Sequence, residues 1–157
     1  MAFALKAFTV DGPSMMPTIR SGERLLVDRL TYRLRSPRRG EVVVFRVSGE
    51  QRQLYIKRVI GVPGDTIVIS DGRVYINGIV LDEPYLESSV LGNFGPYAVP
   101  KGHVFVLGDN RNNSEDSRTP RVGFVAHRMI LGRALWRYWP LTRVGSLEAS
   151  KLVLASS

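Results

Sequence analysis

Three short stretches of this sequence carry side chains that core packing does not call for. In Asp11-Gly12-Pro13-Ser14-Met15-Met16-Pro17-Thr18, a serine follows Gly-Pro and precedes a proline-ended turn, so a bent backbone presents its hydroxyl to a cleft. Taken alone, such a serine reads as a turn residue that bonds its own backbone. In Tyr55-Ile56-Lys57-Arg58-Val59-Ile60, strand alternation puts Tyr55, Lys57 and Val59 on one face and Ile56, Arg58 and Ile60 on the other. Each face carries a cation among apolar residues, which predicts that one of the two lies near the core. Taken alone, Lys57 reads as a lysine whose stem covers apolar surface while its ammonium stays in water. The third stretch, Gly108-Asp109-Asn110-Arg111-Asn112-Asn113-Ser114-Glu115-Asp116-Ser117-Arg118, is a long polar loop after an apolar run. Its two Asp-to-Arg pairs, Asp109 with Arg111 and Asp116 with Arg118, predict a loop braced by its own charge-assisted hydrogen bonds. Calcium does not suit it, because the arginines compete for the same carboxylates and the EF-hand pattern is missing.

The elements that must position these residues read as strands: short β-branched or aromatic runs bounded by glycine, proline, aspartate or asparagine. The expected strands are Ala7 to Val10, Arg24 to Asp28, Glu41 to Val47, Leu54 to Ile60, Thr66 to Ser70, Arg73 to Ile76, His103 to Leu107 and Ile130 to Trp136. Asp71-Gly72 and Asn77-Gly78 suit two-residue hairpin loops, because these residues tolerate positive φ. Helical signal is limited to at most one turn at Met16 to Ser21 and a short terminal helix at Leu147 to Leu154. The expected class is all-β, with antiparallel sheets forming a partly coiled core with hairpins. Residues 83–100, rich in serine, glycine and proline, read as a small excursion from it, and 146–157 as a tail.

With 157 residues, 44% of them apolar, the chain can bury one sizeable core. The 22 basic residues exceed the 14 acidic ones by eight, a surplus that attracts anionic lipid or nucleic acid. Nucleic acid is disfavoured, because the arginines are dispersed apart from the run Arg33 to Arg39 and no RNA-binding aromatic or zinc-finger spacing occurs. Cysteine is absent, and the two histidines, His103 and His127, stand in no metal-binding spacing. No metal or other cofactor is therefore expected, and a histidine-based triad is hard to build. Met1 to Val10 is apolar but half the roughly 20 residues a spanning helix needs. It reads either as a buried strand or as the stub of a membrane anchor.

Taken together, the three stretches resemble the serine, lysine and Gly-Asp-Asn-Arg boxes of the type I signal peptidase family, in the family's order. The resemblance runs from about Phe8 to Trp139, and places the catalytic domain at 8–145. It implies an endopeptidase that removes signal peptides from secretory precursor proteins after small residues, with alanine before the cut and again two residues earlier. It implies Ser14 as nucleophile and Lys57 as general base. It also implies Ser114 as the residue that orients the lysine, and Asp109, Arg111, Asp116 and Arg118 as braces of the loop. The chemistry agrees, because a lysine acts as a base at neutral pH only when burial disfavours its ammonium.

Some members of that family carry a serine or threonine two positions before the nucleophile to complete the oxyanion hole. Here that position is Gly12, leaving the Ser14 N–H and a main-chain or water donor near Gly12. By position, Val10, Met15, Ile19, Tyr55 and Ile56 match the first substrate pocket, and Phe8 and Leu25 the second. An extended substrate is expected beside Asp11 to Ser14 and Leu54 to Lys57. Glu115 departs from what the chemistry wants, since a carboxylate facing Lys57 stabilises the ammonium, and it is expected to point to solvent. The resemblance further implies a membrane lipid surface as partner and a catalytic domain outside the cytoplasm. Trp136, Tyr138 and Trp139 read either as interfacial contacts, which amphipathic aromatics favour, or as aromatics of which at least one tryptophan packs in the core. The alternatives are a related serine/lysine self-cleaving peptidase and a non-enzymatic basic β module.

Overall fold

The computed structural model describes residues 5–84, 86, 88–147 and 153–154. The chain runs through β1 (Leu5–Thr9), β2 (Arg24–Asp28), the one-turn helix α1 (Thr31–Leu34), β3 (Val42–Val47), β4 (Glu50–Gly61), β5 (Thr66–Ser70), β6 (Arg73–Ile76) and β7 (Ile79–Asp82). It continues through β8 (Phe94–Ala98), β9 (His103–Leu107), β10 (Val125–Ala126), β11 (Ile130–Trp139), β12 (Gly145–Ser146) and β13 (Val153–Leu154). Every pairing among the described residues is antiparallel. One sheet runs β1-β2-β11-β3-β4-β9-β10 with β12 added to β11, and the other runs β13-β7-β6-β5-β8. The expected all-β class is the one observed.

Four expected strands, β2, β5, β6 and β9, have the expected bounds. Both hairpin turns form as well, with φ of 52° and 77° at Asp71 and Gly72, and of 52° and 81° at Asn77 and Gly78. Along β5 and β6, Ile67, Ile69, Val74 and Ile76 point inward and pack on Ile60, Phe105 and Leu107 of the larger sheet. Each is worth about 1.5–3 kcal/mol of burial. Residues 83–100 do more than leave the core: β8 pairs with β5, and Val90 and Val99 are buried in the cluster between the sheets. Met16 to Ser21 contributes a single helical bond, from Ile19 N–H to Met15 O. Of the terminal helix expected at Leu147 to Leu154, residues 148–152 lie outside the described residues, and Val153–Leu154 is a strand paired with β7. No helix among the described residues is long and apolar enough to cross a membrane.

Candidate active site

Ser14 stands on a loop tied down on both sides. Val10, Met15 and Ile19 are buried in one apolar cluster with Leu25, Val27 and Val44, so the side chains around the serine plug into the sheet beneath it. The polar loop after β9 then fastens the exposed side. The Asn110 N–H donates to the Ser14 carbonyl at 2.9 Å, and the Asn110 amide donates to the Pro13 carbonyl at 3.1 Å. The Thr18 hydroxyl donates to Asp109 at 2.6 Å. Gly108 makes this approach possible, because a Cβ there would come within 2.6 Å of the Ser14 carbonyl oxygen and collide with Ser114.

Lys57 comes from the middle of β4, and only 4% of its surface is exposed. Its Nζ lies 2.8 Å from Ser14 Oγ, within direct proton-transfer reach. Burial pushes its pKa down to about 8, against the pull of the Asp116 and Glu115 carboxylates and with a smaller push from Arg118. At pH 7 that leaves about one lysine in eleven neutral, against about one in three thousand at the unperturbed value. Arg58, the other cation of this strand, is also buried, so the expectation of a single cation near the core is corrected. It reaches the opposite side and holds Asp109 through Nε at 2.9 Å and Nη2 at 2.7 Å.

Ser14 and Lys57 open into a cleft of about 490 Å3. Phe8, Val10, Leu25, Val44, Leu54 and Ile56 give it an apolar lining, to which Tyr55, Lys57 and Glu115 add polar groups. Five residues expected to meet substrate therefore line it. Met15 and Ile19 do not: both are fully buried and pack behind the wall. Leu54, in the stretch expected beside the substrate, lines it too and shares a strand face with Ile56, whereas Val44, the register partner of Ile56 on β3, is an addition that only the fold supplies. On its other edge β4 pairs with β9 only from Arg58 onward, so Leu54 to Lys57 leave an edge unpaired among the described residues.

The bracing of the polar loop differs from the local pairing expected. Asp116 and Arg118 do pair, through Nε at 2.8 Å and Nη2 at 2.8 Å. Asp109 instead pairs with Arg58, and Arg111 makes a two-pronged contact with Glu83 while its Nε donates to the Gly108 carbonyl. The Ser114 hydroxyl donates to Asp116 at 2.9 Å, so its described bond is to that carboxylate and not to Lys57. Asp116 also accepts the Gly108 N–H at 3.0 Å. The Gly12 N–H donates to Ser21 Oγ at 3.0 Å, which commits the main-chain donor expected there. The Ser14 N–H has no acceptor among the described residues. Glu115 is exposed to solvent as expected, but on the wall of the cleft, 3.5 Å from Arg121. No group of three potential metal ligands occurs among the described residues.

Residues 1–139 match the family model described as signal peptidase, peptidase S26. The chain is 41% identical over 152 residues to the signal peptidase I of Bacillus caldolyticus, covering 88% of this chain and 81% of that one. It is 41% identical over 152 residues to the signal peptidase I of Leptolyngbya laminosa, covering 92% and 74%. Among solved structures, a signal peptidase I from Enterococcus faecalis superposes with a TM-score of 0.54 at 34% identity, covering 62% of this chain and 95% of that one.

Proposed function

Because the chain belongs to the signal peptidase family, peptidase S26, we propose that it removes signal peptides from secretory precursors after small residues, with Ser14 as nucleophile and Lys57 as general base. The observation that carries the assignment is the 2.8 Å approach of a buried lysine, its pKa lowered to about 8, to a serine hydroxyl at the head of an apolar cleft. Neutral Lys57 accepts the Ser14 proton as Oγ attacks the scissile carbonyl carbon. The oxyanion that forms takes the Ser14 N–H as one donor. The lysine ammonium then gives its proton to the leaving amine as the C–N bond breaks, leaving an acyl-serine. A water molecule, deprotonated by the same lysine, attacks that ester; as the C–Oγ bond breaks the lysine returns the proton to Ser14 Oγ, releasing the signal peptide's new carboxyl group. Asp116 favours the ammonium that exists between these steps, and Arg118 and Ser114 hold Asp116 in place.

Substrate selection follows from the cleft. The unpaired edge at Leu54 to Lys57 suits an extended segment added as a strand, whose backbone bonds carry little sequence preference. Val10, Val44 and Ile56 crowd the space next to Ser14 and favour alanine-sized side chains. The family is membrane-associated, and exposed Leu5, Trp136, Trp139, Leu141 and Val144 suit contact with a lipid surface. Co-sedimentation with vesicles tests this: Trp139→Ala weakens it, and unchanged binding argues against the surface.

The function is tested by incubating the protein in detergent or lipid with a precursor bearing an Ala-x-Ala site, beside Ser14→Ala and Lys57→Ala. Wild type cleaves after the second alanine, and each variant loses at least about a thousandfold in rate. A precursor left intact by the wild type, or cut equally well by either variant, overturns the assignment.

A further inference from the structure

Glu115 is the residue that the proposed chemistry leaves unexplained: a carboxylate on the wall of the cleft beside a lysine that must lose its proton. The charged groups that act on Lys57 are Asp116, Glu115 and Arg118 from the polar loop; Asp11 lies elsewhere on the cleft lining, and Arg121, from the turn that follows, stands beside Glu115. Of the two carboxylates that favour the ammonium, Asp116 cannot move, because Gly108, Ser114 and Arg118 all bond to it. Glu115 is held differently. It is half-exposed, and its described ion-pair partner is Arg121, at 3.5 Å. The same guanidinium donates to the Tyr55 hydroxyl at 2.5 Å. Tyr55 is buried and stacked on Phe45, with ring centroids 5.7 Å apart, and it stands two positions before Lys57 on β4. Lys57 Nζ lies 5.9 Å from the Tyr55 ring centre.

One fixed point in the core, the Tyr55 hydroxyl, thus sets the position of Arg121, and Arg121 sets that of Glu115. A carboxylate on a side chain as long as glutamate's, released from such a partner, is drawn toward the Lys57 ammonium, which shares the cleft wall with it and whose charge it already favours. We propose that Arg121 is a positioning residue for the general base: anchored on the Tyr55 hydroxyl, it holds Glu115 at the cleft rim and prevents a Glu115–Lys57 ion pair. This rests on the assignment of Lys57 as base. The arrangement accounts for a carboxylate at a position where the chemistry disfavours one, since the cation that neutralises it is built into the same rim.

The test is the pH dependence of kcat/KM for precursor cleavage, each profile normalised to its alkaline plateau so that loss of folded protein does not shift it. Arg121→Gln moves the rising limb to higher pH by roughly half a unit, the size expected of a half-exposed charge pair. Glu115→Gln moves it to lower pH by a comparable amount. Arg121→Gln added to Glu115→Gln leaves the profile where Glu115→Gln alone put it, and Arg121→Lys stays close to wild type. An Arg121→Gln profile that does not move, or an upward shift that persists in the double variant, overturns the proposal. If Arg121→Gln fails to fold, Tyr55→Phe, which removes the anchoring hydroxyl, takes its place: an upward shift supports the proposal and an unmoved profile overturns it. The two readings fail separately: a cleaving Ser14→Ala protein defeats the underlying assignment, whereas an inactive one with no Glu115 or Arg121 effect defeats this inference alone.

Discussion

Replacing Asp109 by alanine removes the carboxylate partner of a buried arginine. Arg58 and Asp109 are both buried, with side chains 2% and 0% exposed, and two parallel bonds of 2.9 Å and 2.7 Å join them. The variant takes from Arg58 its carboxylate, while the bond to the neutral Gly40 carbonyl, at 2.8 Å, remains, and it frees the Thr18 hydroxyl from Asp109 on the loop that carries Ser14. Breaking a buried pair from one side costs about 3–5 kcal/mol, most of it the uncompensated charge. For a chain of this length that is a fall in melting temperature of roughly 6 to 20 °C. Urea unfolding followed by tryptophan fluorescence measures it, with an unchanged slope if the unfolded state is unaffected. The double replacement Arg58→Met with Asp109→Leu loses less than Asp109→Ala alone, because it leaves no charge behind. A loss below about 1 kcal/mol in Asp109→Ala, or a double variant worse than the single one, would refute the reasoning.

Two other outcomes follow from the site. Lys57 has a pKa of about 8 in the folded protein, below its unfolded value, so the unfolded chain binds more protons between about pH 8 and 10.5 and stability rises with pH across that window. Below pH 8 the penalty is fully present, so Lys57→Met is inactive yet more stable at pH 7 by up to about 3 kcal/mol, a gain that disappears near pH 11 in the same urea titration. Gly108→Ala pushes the Ser14 carbonyl and Ser114 away from each other, since the added Cβ would lie 2.6 Å from that oxygen. Its cleavage rate falls by more than about tenfold, because a 1 Å misplacement of reacting groups costs about a hundredfold, and a rate equal to wild type counts against the tight approach of the two loops.

What could be read from the sequence was local. Alternation and the Asp-Gly and Asn-Gly turns place β5 and β6 to the residue, because a period of two and two positive-φ positions are written in adjacent letters. Strand β8 escaped because Gly95 and Pro96 stand inside it, and proline is tolerated only where a strand has a free edge. The one-turn helix α1 is too short to show any period. Charge pairing was misread for the same reason: Asp109 lies two residues from Arg111, but its partner Arg58 is 51 positions away, and Arg111 reaches Glu83 across 28. Met15 and Ile19 match the first substrate pocket by position in the family, whereas here the apolar side chains beside the bent loop anchor it to the core. Ser14 and Lys57, by contrast, were legible as a joint pattern of three boxes, and the fold sets them 2.8 Å apart.

In the proposed mechanism the base is a lysine whose pKa burial lowers to about 8, so that a useful fraction is neutral near pH 7. The most direct test is kcat/KM for a precursor peptide from pH 6 to 11. The reasoning predicts a rate that climbs tenfold per pH unit at first and levels off through an apparent pKa near 8, where burial has placed Lys57. A profile flat across that range, or one that keeps rising to the ordinary lysine value near 10.4, contradicts it.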